Sequence, residues 1–365
     1  MRIERLEIVP YALPFREPYV TARGHLERRE MLLVRLWTDD GTIGVGEAVP
    51  LSLRGGPGLA QIAGELAGVC RILAEGEPVG WNRRAALIKD CVRAEVPAPA
   101  VAAIDMATLD LVGKQLGRPA WQLLGAEEAR PVVCNATLVA GEPAAVAESA
   151  RHWAERGFET FKMKAGVDGD VEQLKAVRAA VGDDARIRVD ANGSWSLAQA
   201  TDRLTAMADS DLELAEQPVA SLEEMVELRG TVAVPLAADE SVNDTFEARR
   251  AARLGACDSA TVKLSKVGGV NAALAVAEEL PVYLSSALDG PVGIAAAVHA
   301  AQALRQRGGD AGVAHGLATG ELFDGTIAWQ QCLLDGDELF APEAPGLGVE
   351  IDENALERHR IRLTG

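Results

Sequence analysis

A chain of 365 residues, 48% of them hydrophobic, can bury a substantial core, and its length suits two domains better than one. Its 54 acidic against 36 basic residues give a net charge of −18 with no basic stripe, which argues against nucleic acid as a partner and favours solubility. Five scattered cysteines without CxxC spacing argue against a disulfide framework or a zinc site, and no apolar run reaches the roughly 20 residues of a membrane helix.

Cys70, Cys91, Cys134, Cys257 and Cys332 are therefore expected as buried free thiols in a reducing compartment. The charged N-terminus (Arg2, Glu4, Arg5, Glu7) is unlike a signal peptide, so the expectation is a cytoplasmic protein away from membranes. Residues 1–50 read as antiparallel strands, with Asp39-Asp40-Gly41 turning Met31–Trp37 into Thr42–Ala48. Two loops, 19–25 and 51–58, are polar or glycine-rich and suit substrate contacts. Ala100–Leu111 carries apolar and small residues at helical spacing and stops near Gly117-Arg118-Pro119.

From residue 130 strands and helices alternate. Strands are expected at Pro131–Thr137, Thr160–Lys164, Ile187–Asp190, Leu214–Glu216, Leu236–Asp239, Ala260–Lys263 and Pro281–Ser286, with Gly312–His315 as an eighth. Pro143 at a first helical position, Ser196 as a cap and Ser221 with Glu224 as a capping box punctuate the helices between them. After residue 325 the pattern lapses, and Arg360–Leu363 reads as a strand returning to the first domain.

Five strand ends carry charge: Lys164, Asp190, Glu216, Asp239 and Lys263, separated by 26, 26, 23 and 24 residues. Such gaps fit successive βα units, and a closed barrel gathers its strand ends at one mouth. An open doubly wound sheet is the alternative, although it rarely supplies charges from five consecutive strands. Three carboxylates brought together repel unless a hard cation holds them, which points to Mg²⁺ on Asp190, Glu216 and Asp239. Read singly, each acid is as well explained as a helix cap or turn residue. Lys162 shares the strand face of Lys164 and is expected to lower its pKa, and Lys263 should stand opposite across the cavity. The bland reading, two lysines on an exposed strand face, fails because parallel barrel strands have no such face. Asn192 and Glu240 are expected to hydrogen-bond the acids, Lys266 to lie at a loop or helix start, and His315 to sit at the last strand end.

Together Lys162-x-Lys164, Asp190-x-Asn192, Glu216, Asp239-Glu240 and Lys263 resemble the enolase superfamily, in its muconate-lactonizing subgroup. The resemblance implies an α/β fold: a modified TIM barrel, (β/α)₇β, in residues 126–325, an α+β capping domain in 1–125, and a C-terminal segment, 326–365, that completes the cap. It implies Mg²⁺, with Mn²⁺ able to stand in, Lys164 and Lys263 as catalytic groups beside Lys162, and a small-molecule carboxylate as substrate; it leaves room for a homo-oligomer. Cys134–Thr137, Leu284–Asp289 and Ala314–Thr319 look most like o-succinylbenzoate synthases of the actinobacterial type. That implies dehydration in menaquinone synthesis, with Arg54, Asn135, Ser285 and Ser286 as candidate substrate contacts. An N-acylamino acid racemase or dipeptide epimerase using the same lysines is the rival. The Asp-x-Asp that dipeptide epimerases carry near the last strand is not reproduced by Glu321-Leu322-Phe323-Asp324.

Overall fold

The computed structural model describes all residues except 22–23, 52–54, 75–77 and 364–365, and only the backbone of Thr21, Cys70, Arg71 and Ala74. Arg54 and the Cys70 thiol therefore lie outside the described residues. Three antiparallel strands, β1 (Ile3–Thr21), β2 (Gly24–Thr38) and β3 (Ile43–Ala48), lie side by side in that order. Gly41 turns β2 into β3 at φ 84, its N–H donating to Thr38 O at 3.0 Å. Helices α1 (Leu59–Ala74), α2 (Trp81–Arg93), α3 (Ala98–Leu116) and the single turn α4 (Ala120–Leu123) follow.

α3 contains the anticipated 100–111 stretch and ends where Gly117 takes φ 64. It is buried on nearly every face because β3 packs against it through glycine. A Cβ at Gly46 would lie 2.0 Å from Ala103 O, and one at Gly44 2.3 Å from Ala107 O, so no larger residue lets strand and helix approach this closely. Leu32, Leu36, Ile62, Leu66 and Ile104 fill the core between this sheet and its helices. Each such burial contributes about 1.5–3 kcal/mol.

The alternation then begins. In order come β4 (Val132–Val133), β5 (Ala136–Leu138), α5 (Pro143–Glu155), β6 (Thr160–Lys164), α6 (Asp170–Val181), β7 (Arg186–Asp190) and α7 (Leu197–Ala206). They continue with β8 (Leu212–Glu216), α8 (Leu222–Arg229), β9 (Leu236–Ala238), α9 (Thr245–Leu254) and β10 (Ser259–Val262). Next are α10 (Leu264–Val267), α11 (Val270–Ala277), β11 (Val282–Leu284) and α12 (Pro291–Arg307). Strands β5 to β11 form one curled parallel sheet of seven strands in chain order. Ser196 with Gln199, and Ser221 with Glu224, form full capping boxes on α7 and α8. The chain ends with β12 (Ala328–Gln330), β13 (Leu333–Asp335), β14 (Glu338–Phe340), β15 (Glu350–Ile351) and α13 (Glu353–His359).

Four expectations need correction. The stretch 19–25, expected as a loop, is in its described part the paired end of the β1–β2 hairpin, with Tyr19 opposite Leu26 and Val20 opposite His25. The sequence places one strand over Pro131–Thr137, but the chain breaks at Cys134-Asn135: Val132 and Val133 pair antiparallel with β14, and only Ala136–Leu138 joins the parallel sheet. Gly312–His315 forms no regular strand, since Gly312 turns the chain at φ 73. Instead His315 and Gly316 make single parallel bridges to Cys134 and Ser285, and these close the sheet between β11 and the approach to β5. Arg360–Leu363 likewise meets β1 at one bridge, Tyr11 to Arg360, with Ile361 N–H donating to Pro10 O at 3.1 Å. The described cysteines are free thiols, three buried and Cys332 half-buried. No helix among the described residues is long and apolar enough to cross a membrane.

Candidate active site

Parallel register aligns Lys164 of β6 with Asp190 of β7 and Glu216 of β8, while Asp239 and Lys263 directly follow β9 and β10. The five charges anticipated from the period thus stand at neighbouring strand ends, each at most 6% exposed. Lys162 Nζ donates to Glu216 Oε2 at 2.6 Å and lies 2.9 Å from Asp190 Oδ2. Lys164 Nζ donates to the same Asp190 oxygen at 2.7 Å. Lys263 pairs with Asp239 Oδ2. Asn192 donates its N–H to Asp190 Oδ1 at 3.0 Å and its Nδ2 to Glu240 Oε1 at 3.1 Å, so Asn192 holds Asp190 directly and Glu240 stands behind Asn192.

Lys266 lies in the short helix after β10, close to the anticipated helix start, yet it does more than that. Its buried ammonium donates to Asp239 Oδ1 at 2.9 Å and to Asp239 O at 2.6 Å, so Asp239 lies between two lysines. Asn192 and Gln217 take φ 49 and φ 37, a left-handed backbone that costs non-glycine residues energy and often marks sites where function over-determines geometry. Gln217 Oε1 accepts the Asp239 and Ser241 N–H groups at 2.8 and 3.1 Å, which fixes the β9 end beside β8.

Burial disfavours the Lys164 charge, but the adjacent Asp190 carboxylate outweighs it and holds the pKa above the usual lysine range. Burial likewise opposes the Asp190 charge, and Lys162 with Lys164 outweighs it, keeping the carboxylate ionised. Burial drops His315 to about 4, and its Nδ1 accepts the Leu284 N–H at 2.9 Å. It is a neutral strut of the barrel wall and takes no part in the charge cluster.

Lys162, Lys164 and Lys263 line one cavity, with Lys164 and Lys263 four strands apart around the ring. Ser285 and Ser286 line it too, though the Ser286 hydroxyl is committed to Asp289 Oδ2 at 3.0 Å. Asn135 is buried with its Nδ2 donating to Ala136 O at 3.2 Å, and it is not among the lining residues. Tyr19 and Leu51 come from the two stretches anticipated for substrate contacts, whereas Arg29, Thr137 and Thr319 are polar lining residues that sequence reasoning did not single out. Arg29 donates to Pro50 O at 2.7 Å and Ala287 O at 2.8 Å, tying β2 to the loop after β11. Among the described residues no acidic side chain lines the cavity.

Among the described residues no three His, Cys, Asp or Glu side chains form a ready-made metal cage, because the lysines intervene. The donor chemistry nonetheless fits Mg²⁺. Asp190, Glu216 and Asp239 are fully buried hard-oxygen donors, and Glu216 Oε1 has no hydrogen-bond partner, which a buried carboxylate oxygen seldom tolerates without a cation.

A further buried acid joins β3 to α12 beside the cavity loop. Glu47 accepts from Tyr11 OH at 2.7 Å and from Gly290 N–H at 2.6 Å, at the N-terminus of α12. Burial raises its pKa to about 7, and nearby Asp289 adds to the rise. Folded Glu47 therefore keeps its proton where the unfolded chain has lost it, so this group's stabilisation is complete below about pH 4.5 and is lost as pH rises through 7. The loss amounts to about 3 kcal/mol. Urea unfolding at pH 5 and pH 8 should show wild type losing that much relative to Glu47→Gln; parallel pH responses would rule the linkage out.

The Enolase C-terminal domain-like family matches residues 145–355, and the Mandelate racemase / muconate lactonizing enzyme, N-terminal domain matches 4–125. The chain belongs to the enolase superfamily. Within this superfamily it falls in the muconate lactonizing subgroup. It is 31% identical over 366 residues to a hydrophobic dipeptide epimerase of Enterococcus faecalis, covering 96% of this chain and 99% of that one. The solved structure of an Enterococcus faecalis dipeptide epimerase complexed with Mg and L-Leu-L-Tyr matches with a TM-score of 0.89 at 27% identity, covering 96% of this chain and 100% of that one. An N-succinyl-L-Arg/Lys racemase of Bacillus cereus is 28% identical, covering 98% and 97%. An o-succinylbenzoate synthase of Mycobacterium marinum is 42% identical over 212 residues, covering 55% of this chain and 62% of that one. The enolase-superfamily fold, a barrel under an N-terminal cap, is thus shared along almost the whole chain.

Proposed function

We propose that this chain is a Mg²⁺-dependent enzyme that removes the α-proton of a small carboxylate, and that its reaction is the dehydration carried out by o-succinylbenzoate synthases in menaquinone synthesis. The observation that carries the reading is a cavity with a lysine on either side and no acidic lining residue among those described. A dipeptide brings a free ammonium, which asks for a carboxylate partner. Asp324 does not supply one: it is 72% exposed and pairs with Arg16 at 3.8 Å. The cyclohexadiene substrate, with its carboxylate and succinyl arm, needs cations and hydroxyls, and Arg29, Ser285, Thr137 and Thr319 offer them. The 42% identity to a synthase supports the same choice.

An α-proton beside a carboxylate is weakly acidic because its loss gives an enediolate with two negative charges. Asp190, Glu216 and Asp239 would hold a divalent cation, which would stabilise that charge and compete with Lys164 for the Asp190 carboxylate that now holds the amine protonated. Lys164 takes the proton, and the C–H electron pair moves into the enediolate. Lys263 meets the developing charge from the other face. Lys164 then returns its proton to the departing hydroxyl on the same face, so the C–O bond breaks with loss of water.

A second reading, racemisation of an N-acylamino acid, is favoured by the symmetry of the lysines, since each amine is paired with one strand-end acid. Turnover in D₂O separates the two. Net loss of water from the cyclohexadiene carboxylate is the expected result. Deuterium entering the α-position of an N-succinylamino acid with racemisation, and no dehydration, would replace the first reading with the second.

A further inference from the structure

Glu216 ends β8 fully buried, and its two oxygens are treated unequally. Oε2 accepts from Lys162 Nζ at 2.6 Å and from the Tyr283 hydroxyl at 2.7 Å, whereas Oε1 accepts from nothing. Tyr283 comes from β11, so its bond to Glu216 crosses the barrel interior rather than running between adjacent strands. The phenol has one proton to give, and its surroundings decide where it goes. Thr261 donates to the Tyr283 oxygen at 2.6 Å, which commits the tyrosine's own hydrogen to Glu216. The ring is held in turn by the Arg188 guanidinium, 5.1 Å from its centroid, and that guanidinium donates to Ala314 O at 2.7 Å. Every member of this chain is buried, so the carboxylate has little room to turn.

We propose that Tyr283 is a positioning residue that locks Glu216 with Oε1 as the one oxygen offered to a divalent cation. The inference rests on the reading of Glu216 as a metal ligand. Its consequence is selectivity. Mg²⁺ demands near-ideal octahedral geometry and seldom takes both oxygens of one carboxylate, while Ca²⁺ accepts bidentate carboxylates readily. A glutamate that cannot turn favours the smaller ion. Lys162 alone, a rotatable point donor, does not fix the carboxylate plane as two donors on one oxygen do.

Calorimetric titration of the metal-stripped full chain with Mg²⁺ and with Ca²⁺ tests this without any substrate. Tyr283→Phe keeps the ring beneath Arg188 and removes only the hydroxyl. Mg²⁺ affinity should fall by about 10-fold or more, in line with the loss of an orienting group behind a ligand, and Ca²⁺ affinity should fall less. Mg²⁺ bound as tightly by Tyr283→Phe as by wild type, or both ions weakened by one common factor, overturns the proposal. Glu216→Gln separates the two layers: if it binds Mg²⁺ like wild type, the ligand reading is wrong and the positioning role goes with it. Should Tyr283→Phe not fold, a Mg²⁺-loaded crystal of wild type decides. Contact through Oε1 alone with the tyrosine bond kept supports the lock, and contact through Oε2 or both oxygens refutes it.

Discussion

Lys164→Ala should lower turnover by about 10³-fold while the protein unfolds at nearly the wild-type temperature. A positioned amine that takes and returns a proton contributes 10²- to 10⁴-fold, and Lys162, the neighbouring amine in the lining, is tied to Glu216 at 2.6 Å and Asp190 at 2.9 Å. The fold should survive because Asp190 keeps Lys162 at 2.9 Å and the Asn192 N–H at 3.0 Å. Lys263→Ala sharpens the test. In a dehydration it loses charge stabilisation but leaves Lys164 able to exchange the α-proton, so solvent deuterium should still enter substrate. In a racemisation each lysine serves one enantiomer, and Lys263→Ala should silence exchange from one enantiomer only. Turnover of Lys164→Ala within tenfold of wild type would end both readings.

The strand ends were legible because their chemistry conflicts with their setting. Charged residues at the ends of apolar runs such as Thr160–Lys164, repeated at one interval, have no bland explanation in a sheet buried on both faces. The remaining cavity residues carry no such conflict. Arg29 sits between Arg28 and Glu30 and reads as part of a solvated charge run, yet it is 5% exposed because its partners are carbonyls of residues 50, 287 and 288. Tyr283 reads as core between Val282 and Leu284, and only the barrel's closure brings its hydroxyl to Glu216. Lys266 fits a helix start, and nothing local announces that Asp239 folds back onto it. The eighth strand failed for a different reason: isolated bridges at His315 and Gly316 do the closing, and a single bridge leaves no periodic pattern. What pairs along a strand can be read locally, whereas what meets across the ring cannot.

The joint between cap and barrel offers the largest stability effect. Asp105 of α3 is fully buried, with Oδ1 2.8 Å from Arg84 Nη2 and Oδ2 accepting the Val270 N–H at 2.7 Å and the Asn271 N–H at 3.3 Å. A Cβ on Gly269, at φ 110, would lie 2.6 Å from Asp105 Oδ2, so the glycine exists to let this carboxylate reach the start of α11. Asp105→Ala leaves the Arg84 charge and two amides buried without their acceptor. The expected loss is about 3–5 kcal/mol, a large share of a typical total. Denaturant unfolding measures it, and a companion change identifies its cause. If the penalty is the stranded charge, Arg84→Met in the Asp105→Ala background should recover part of the loss, since removing both charges avoids desolvating either. If the penalty comes instead from the unsatisfied α11 amides, the double variant will be no better than the single one, and Asp105→Asn, which keeps an acceptor oxygen, will be the milder change.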